Sequence, residues 1–263
     1  MLESVTFSSA QINTWVGTLI WPLTRITTMF MVAPVFGGRL VPVRARVILG
    51  LAITVLVIPS LPPITAPDPL SAAGIAVTVQ QILIGATMGF ALQLVFQALV
   101  VGGQFVAVSM GLGFASMVDP QNGVQVPVLS QYYVTIATLL FLSLNGHLVL
   151  IGVLVNSFHT MPVGLAGITR VDLWRLVGWA SQMFGGAVLI GLPAVTALLM
   201  VNITFGVITR AAPQMNIFGV GFPITMLLGF VIIMATLPNM APQLNHLLAS
   251  AFGLMNSLGT AGG

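Results

Sequence analysis

The sequence predicts an all-α protein made of membrane-associated helical hairpins with kinked and broken helices. Three observations predict it. Charged residues make up 4% of the 263 residues and hydrophobic ones 57%, with a mean hydropathy of +1.10, whereas a soluble domain carries about 25% charge and could not cover its surface with so little. The apolar residues arrive in runs longer than an ordinary core helix, as in a helical membrane protein or a subunit buried in a large apolar assembly. Pro22, Pro193 and Asn145-Gly146-His147 interrupt those runs, and such residues bend or break helices. A soluble enzyme is excluded, and the lack of cysteine removes disulfides, thiolate metal sites and thiol nucleophiles.

Six apolar segments follow one another, at about 12–35, 47–59, 71–101, 129–155, 176–209 and 218–237, within one domain covering 1–263. A helix needs about 20 apolar residues to cross the ~30 Å hydrocarbon core. The first segment is expected to be retained rather than cleaved as a signal peptide, because Glu3 sits where a basic region belongs and Arg25 interrupts the apolar run. The second is too short to cross, and the third and fifth are too long. Segments that miss the bilayer thickness in both directions predict hairpins and bent helices held by protein neighbours. Prolines at 59, 62, 63, 67 and 69 make a stiff, exposed connector between the second and third segments. In the third, Gly85-x-x-x-Gly89 permits close helix approach, and Gln93 and Gln97 share a face from which they can hydrogen-bond, within the chain or between subunits.

Residues 102–127, reading GGQFVAVSMGLGFASMVDPQNGVQVP, are too irregular for a further helix. Gly111 and Gly113 open backbone angles closed to other residues, Asp119-Pro120 and Asn122-Gly123 are turn dipeptides, and Met110, Leu112, Phe114 and Met117 are bulky apolar groups beside Ala115. This composition suits a deformable plug that closes a pore by dewetting it. The same composition is also that of an ordinary interhelical loop covering one end of a bundle.

Arg210, Gln214 and Asn216 precede the last segment and offer many donors to a neighbouring subunit, the alternative being a snorkelling arginine followed by a polar loop. If every segment crosses, Arg39, Arg44, Arg46 and Arg210 share a side opposite Arg170 and Arg175, and the bias makes it cytoplasmic. The net charge of +3 sits beside apolar runs rather than on a solvated stripe, which argues against nucleic acid. His147, His159 and His246 form no ligand cluster, and no nucleophile, zinc or phosphate-loop motif is present, so no enzyme activity, metal or cofactor is expected. Each histidine is read as a satisfied polar residue at a break or interface. Among the acids, Glu3, Asp68 and Asp172 belong to ends or connectors, which leaves Asp119 as the one candidate for ion coupling by a secondary transporter, the alternative function.

On these motifs the chain resembles the FliR/SctT export-gate family of flagella and injectisomes. The matching pieces, in family order, are Ala33-Pro34-Val35-Phe36-Gly37 with Val41-Pro42 and the following arginines; Met110 to Pro120; Asn145-Gly146-His147; Ser157 with Pro162-x-Gly164; and Arg210-x-x-Pro213-Gln214-Met215-Asn216-Ile217-Phe218 leading to Gly221-x-Pro223. The Pro-Gln-Met-Asn run favours the flagellar branch. The resemblance implies a unit similar to a FliP and a FliQ fused together, assembled with FliP and FliQ subunits in an export gate and associated with FlhB and FlhA. It implies passage of unfolded flagellar substrates, a place in the bacterial inner membrane at the basal body, and a plug formed by Met110, Gly111, Leu112, Gly113, Phe114, Ala115, Met117 and Asp119.

Overall fold

At membrane depth no water satisfies the backbone, so each segment must pair its own N–H and C=O groups, and helices do so within a single strand of chain. The computed structural model describes residues 9–38, 41–64, 67–112, 128–212 and 217–259. Among them the chain forms nine α-helices and no strand. They are α1 (Ser9–Val32), α2 (Pro34–Gly37), α3 (Val43–Val57), α4 (Ala72–Ser109), α5 (Val128–Ser143), α6 (Gly146–Thr160), α7 (Arg170–Ala211), α8 (Ile217–Thr236) and α9 (Met240–Ser257). Four stretches are long and apolar enough to cross a membrane: Val43–Ser60, Ala72–Ser109, Arg170–Ala211 and Gly221–Ser257. The pair α5 and α6 makes a fifth if its 69° bend is taken as a break in one span.

That bend falls on the polar break expected at Asn145. Asn145 takes φ 56°, a left-handed conformation unique among the described non-glycine residues, which asparagine tolerates better than most. Pro22, Pro193 and Pro223 lie inside α1, α7 and α8, which run through them as single elements.

Three expectations are corrected. The second apolar segment is not too short: α3 starts at Val43, and with the 3₁₀ turn Ile58–Ser60 it gives an 18-residue candidate span. Of the arginines that hid this start, Arg46 is accommodated in its first turn, where it folds back and its Nη2 donates to the carbonyls of Gly38 and Val41. The irregular stretch does not begin at residue 102, because α4 continues to Ser109. Gly102 and Gly103 are contact points rather than breakers: a Cβ on Gly102 would stand 3.0 Å from the Ala187 carbonyl oxygen, and one on Gly103 would stand 2.9 Å from Ser130 Cα. The last apolar segment is followed by a further helix, α9, whose Gln243, Asn245, His246 and Asn256 hid it from a search for apolar runs.

The helices cluster into two compact units, each discontinuous in sequence. The first comprises residues 1–93, 145–179 and 250–263. Its interior holds Trp21, Ile26, Met29, Phe30, Ile84 and Phe158, and α1 lies against α4 through Gly85 and Gly89, where added Cβ atoms would strike the backbone of Arg25 and Met29. The glycine pair therefore serves packing inside the chain, at a contact where only hydrogen side chains fit. The second unit comprises 94–144 and 180–249 and buries Val95, Leu99, Met110, Phe141, Ala187 and Leu198.

Candidate functional site

Helix α4 ends in the second unit at the first residues of the glycine-rich motif. Ser109 is the last helical residue, and Gly111 takes φ +81°, which turns the chain out of the helix. Glycine adopts this angle without a Cβ penalty, so the end of α4 is set by residue type as well as by packing. Met110 is fully buried, while Gly111 and Leu112 are half-buried. The amide of Leu112 donates to the Ala107 carbonyl at 3.0 Å, and that of Gly111 to the Val108 carbonyl at 3.0 Å, the nested pair of bonds that ends a helix at a left-handed glycine. Met110 packs on Gly229 of α8, Gly111 lies over the Phe222 ring, and Asn202 of α7 donates to the Ser109 carbonyl at 3.1 Å. Gly113, Phe114, Ala115, Met117 and Asp119 lie outside the described residues.

The interface candidates differ in kind. Arg210 is exposed in the last turn of α7, where a cation faces the negative end of the helix dipole. Gln93 and Gln97 are half-buried along α4. Gln214 and Asn216 lie outside the described residues.

The first unit contains a polar centre that sequence reasoning missed. Arg25 of α1 is wholly buried. Its Nε donates to Gln81 Oε1 at 2.8 Å, Nη1 donates to the Ser157 carbonyl and hydroxyl oxygens at 2.9 and 3.1 Å, and Nη2 donates to the Met161 carbonyl at 2.8 Å. The guanidinium carbon sits 4.1 Å from the centroid of the Phe158 ring. The planar fork thus spans α1, α4 and the C-terminal end of α6, where a cation also meets the negative pole of the helix. Only a plane of several donors serves so many acceptors at once.

Asp172, also fully buried, closes the opposite end of the α6–α7 connector. Its Oδ2 accepts from the Thr169 amide at 3.0 Å and hydroxyl at 2.7 Å, the Asp172 amide donates to Thr169 Oγ1 at 3.2 Å, and Oδ1 accepts from the Gly259 amide at 3.3 Å. This is a capping box, and Thr169-x-x-Asp172 is the sequence signal that announces it. His147 departs from the satisfied role expected of it, since its Nδ1 is buried without a hydrogen-bond partner. Among the described residues no group of three or more acids and histidines is placed to hold a metal.

Comparison with known proteins supplies what this geometry leaves unsaid. The family described as bacterial export proteins, family 1, matches residues 16–251. The flagellar biosynthetic protein FliR of Pectobacterium carotovorum is 38% identical over 251 residues, covering 95% of this chain and 96% of that protein. The chain belongs to the FliR family of bacterial export proteins. FliR of Escherichia coli K12 is likewise 38% identical, over 94% of this chain and 95% of its own length. FliR of Bacillus subtilis is 28% identical over 80% of this chain and 82% of its own. Membership in the FliR family makes the chain a component of the flagellar export apparatus, and its four or five apolar stretches make it a multi-pass membrane protein.

Proposed function

We propose that the chain is a non-enzymatic core subunit of the flagellar type III export gate, one that lines part of the path for unfolded substrates and closes it with the stretch from Met110 to Asp119. It works beside FliP and FliQ subunits, with FlhB and FlhA as further partners, in the inner membrane at the flagellar basal body. Flagellum assembly depends on it.

The observation that carries the closing role is the end of α4. A long, largely buried helix stops on a left-handed glycine and hands the chain to a run of glycines and bulky apolar side chains. A rigid post followed by a deformable apolar segment is what a hydrophobic constriction requires: firm mounting, then side chains that exclude water and a backbone that yields. Arg210, with Gln214 and Asn216, and the amides Gln93 and Gln97 are the groups we assign to contacts with neighbouring subunits, because amides and guanidinium groups at membrane depth gain most from a protein partner.

Deleting Met110 to Asp119 tests the reading. The gate should still assemble and co-purify with its partners, while small-ion conductance across the membrane rises. An unchanged conductance in a fully assembled gate would refute the closing role.

A further inference from the structure

By composition Met110 belongs with the apolar groups of the closing stretch. Its surroundings place it with the frame. The side chain is fully buried, and it lies across the backbone of α8 at Gly229: a Cβ built there would stand 2.5, 2.8 and 3.0 Å from Met110 Cε, Cγ and Sδ. The methionine occupies room that exists only because residue 229 has no side chain. Seven residues earlier, on the same face of α8, the Phe222 ring lies 3.2 and 3.3 Å from where a Cβ of Gly111 would be. From α7, Asn202 Nδ2 donates at 3.1 Å to the Ser109 carbonyl, one of the last carbonyls of α4 and therefore without an intrahelical donor. Three consecutive residues, Ser109, Met110 and Gly111, are thus each held by a different side chain or gap of two other helices.

We infer that Gly229 and Asn202 are positioning residues for the closing stretch, holding Met110 as a fixed foot that stays seated while the path is open. The inference rests on the closing role proposed above and adds where its fixed part ends. Unseating Met110 would expose its whole side chain and leave a void along α8, in an interior packed as densely as a crystal. Rotation at Gly111 carries no such cost, because glycine populates both signs of φ with similar ease. The chain therefore has a soft joint immediately after a hard contact.

The chain contains no cysteine, so a pair introduced at the contact is read without interference from its own thiols. Met110 Cγ lies 2.8 Å from the Cβ position of residue 229, a separation that places the two Cβ atoms within reach of a disulfide, which needs about 3.5–4.5 Å between them. In assembled gates carrying M110C and G229C, mild oxidant should form the 110–229 link, detectable as a linked peptide by mass spectrometry. Secretion should stay within about twofold of the reduced state, since the foot does not move. A link that fails to form, or one that cuts secretion tenfold or more and is reversed by reductant, would overturn the inference.

A second variant reads the seat itself. Gly229→Ala pushes on the flexible end of Met110, and conductance should rise severalfold at undiminished co-purification. Conductance unmoved by G229A would also overturn the inference. Removing residues 112–119 separates the two levels: no leak there would defeat the closing role itself, whereas a leak together with a secretion-blocking link would defeat only the fixed foot.

Discussion

Replacing Arg25 with methionine removes the guanidinium while keeping most of its volume, and the structure specifies what is left behind. Ser157 is not orphaned, because its carbonyl also accepts from the Met161 amide at 2.9 Å and its hydroxyl donates to Leu154 at 2.6 Å. Gln81 Oε1 and the Met161 carbonyl have no other donor in the described hydrogen bonds and become buried and unpaired. Each such group costs about 1–3 kcal/mol, or roughly 2–6 kcal/mol for the two. Relief from burying a cation offsets part of this. At about 2–4 °C per kcal/mol for a chain of this order of size, Tm should fall by roughly 4–24 °C. Thermal unfolding of the detergent-purified protein, followed by tryptophan fluorescence, is the assay. Trp21 sits one turn from Arg25, with its Nε1 donating to Thr78 at 3.2 Å, and reports the same core. The double variant R25M/Q81L removes one of the two orphans and should recover about half of the loss. A Tm within about 2 °C of the parent for Arg25→Met would refute the claim that this side chain joins the three helices.

Other perturbations test the remaining contacts. Gly85→Ala sets a Cβ against the Arg25 carbonyl of α1, backbone that has no rotamer to yield; overpacking of this kind costs about 1–3 kcal/mol and should appear as a lowered Tm in the same unfolding assay. Arg210→Ala should reduce recovery of partner subunits on co-purification severalfold while leaving the Tm within about 2 °C; undiminished recovery would make Arg210 an interfacial anchor only. Asp119→Asn should leave secretion intact, and loss of transport with normal assembly would favour a proton-coupled carrier instead.

What could be read in the sequence was local. The break at Asn145-Gly146-His147 was legible because polar and flexible residues have one meaning inside an apolar run, and the 69° bend falls there. Gly102 and Gly103 were misread because glycine has two meanings, a loosened backbone or a close contact, and only the positions of Ala187 and Ser130 decide between them. The extent of α3 was hidden for a related reason: arginines near an apolar run look like its boundary until Arg46 is seen to fold onto the chain's own carbonyls. Arg25 lay beyond local reasoning altogether, since its acceptors are 56, 132 and 136 residues away. The foot at Met110 shares that character. Its motif was visible, whereas Gly229 and Asn202 carry no signal until α7 and α8 are in place.

Helix α3 has a consequence of its own. Only Gly50 and Thr54 are buried along it, and 11% of its candidate span is covered by the rest of the chain. Gly50 meets the methyl of Thr27 where α3 runs against α1, while most of its other side chains are exposed. One face of the helix is therefore fixed by α1, and its outer face is apolar surface left for its surroundings to solvate. Val43, Val47, Ile48, Leu51, Val55 and Leu56 line that outer face, and in a bilayer such a stripe is what hydrocarbon wets at no cost.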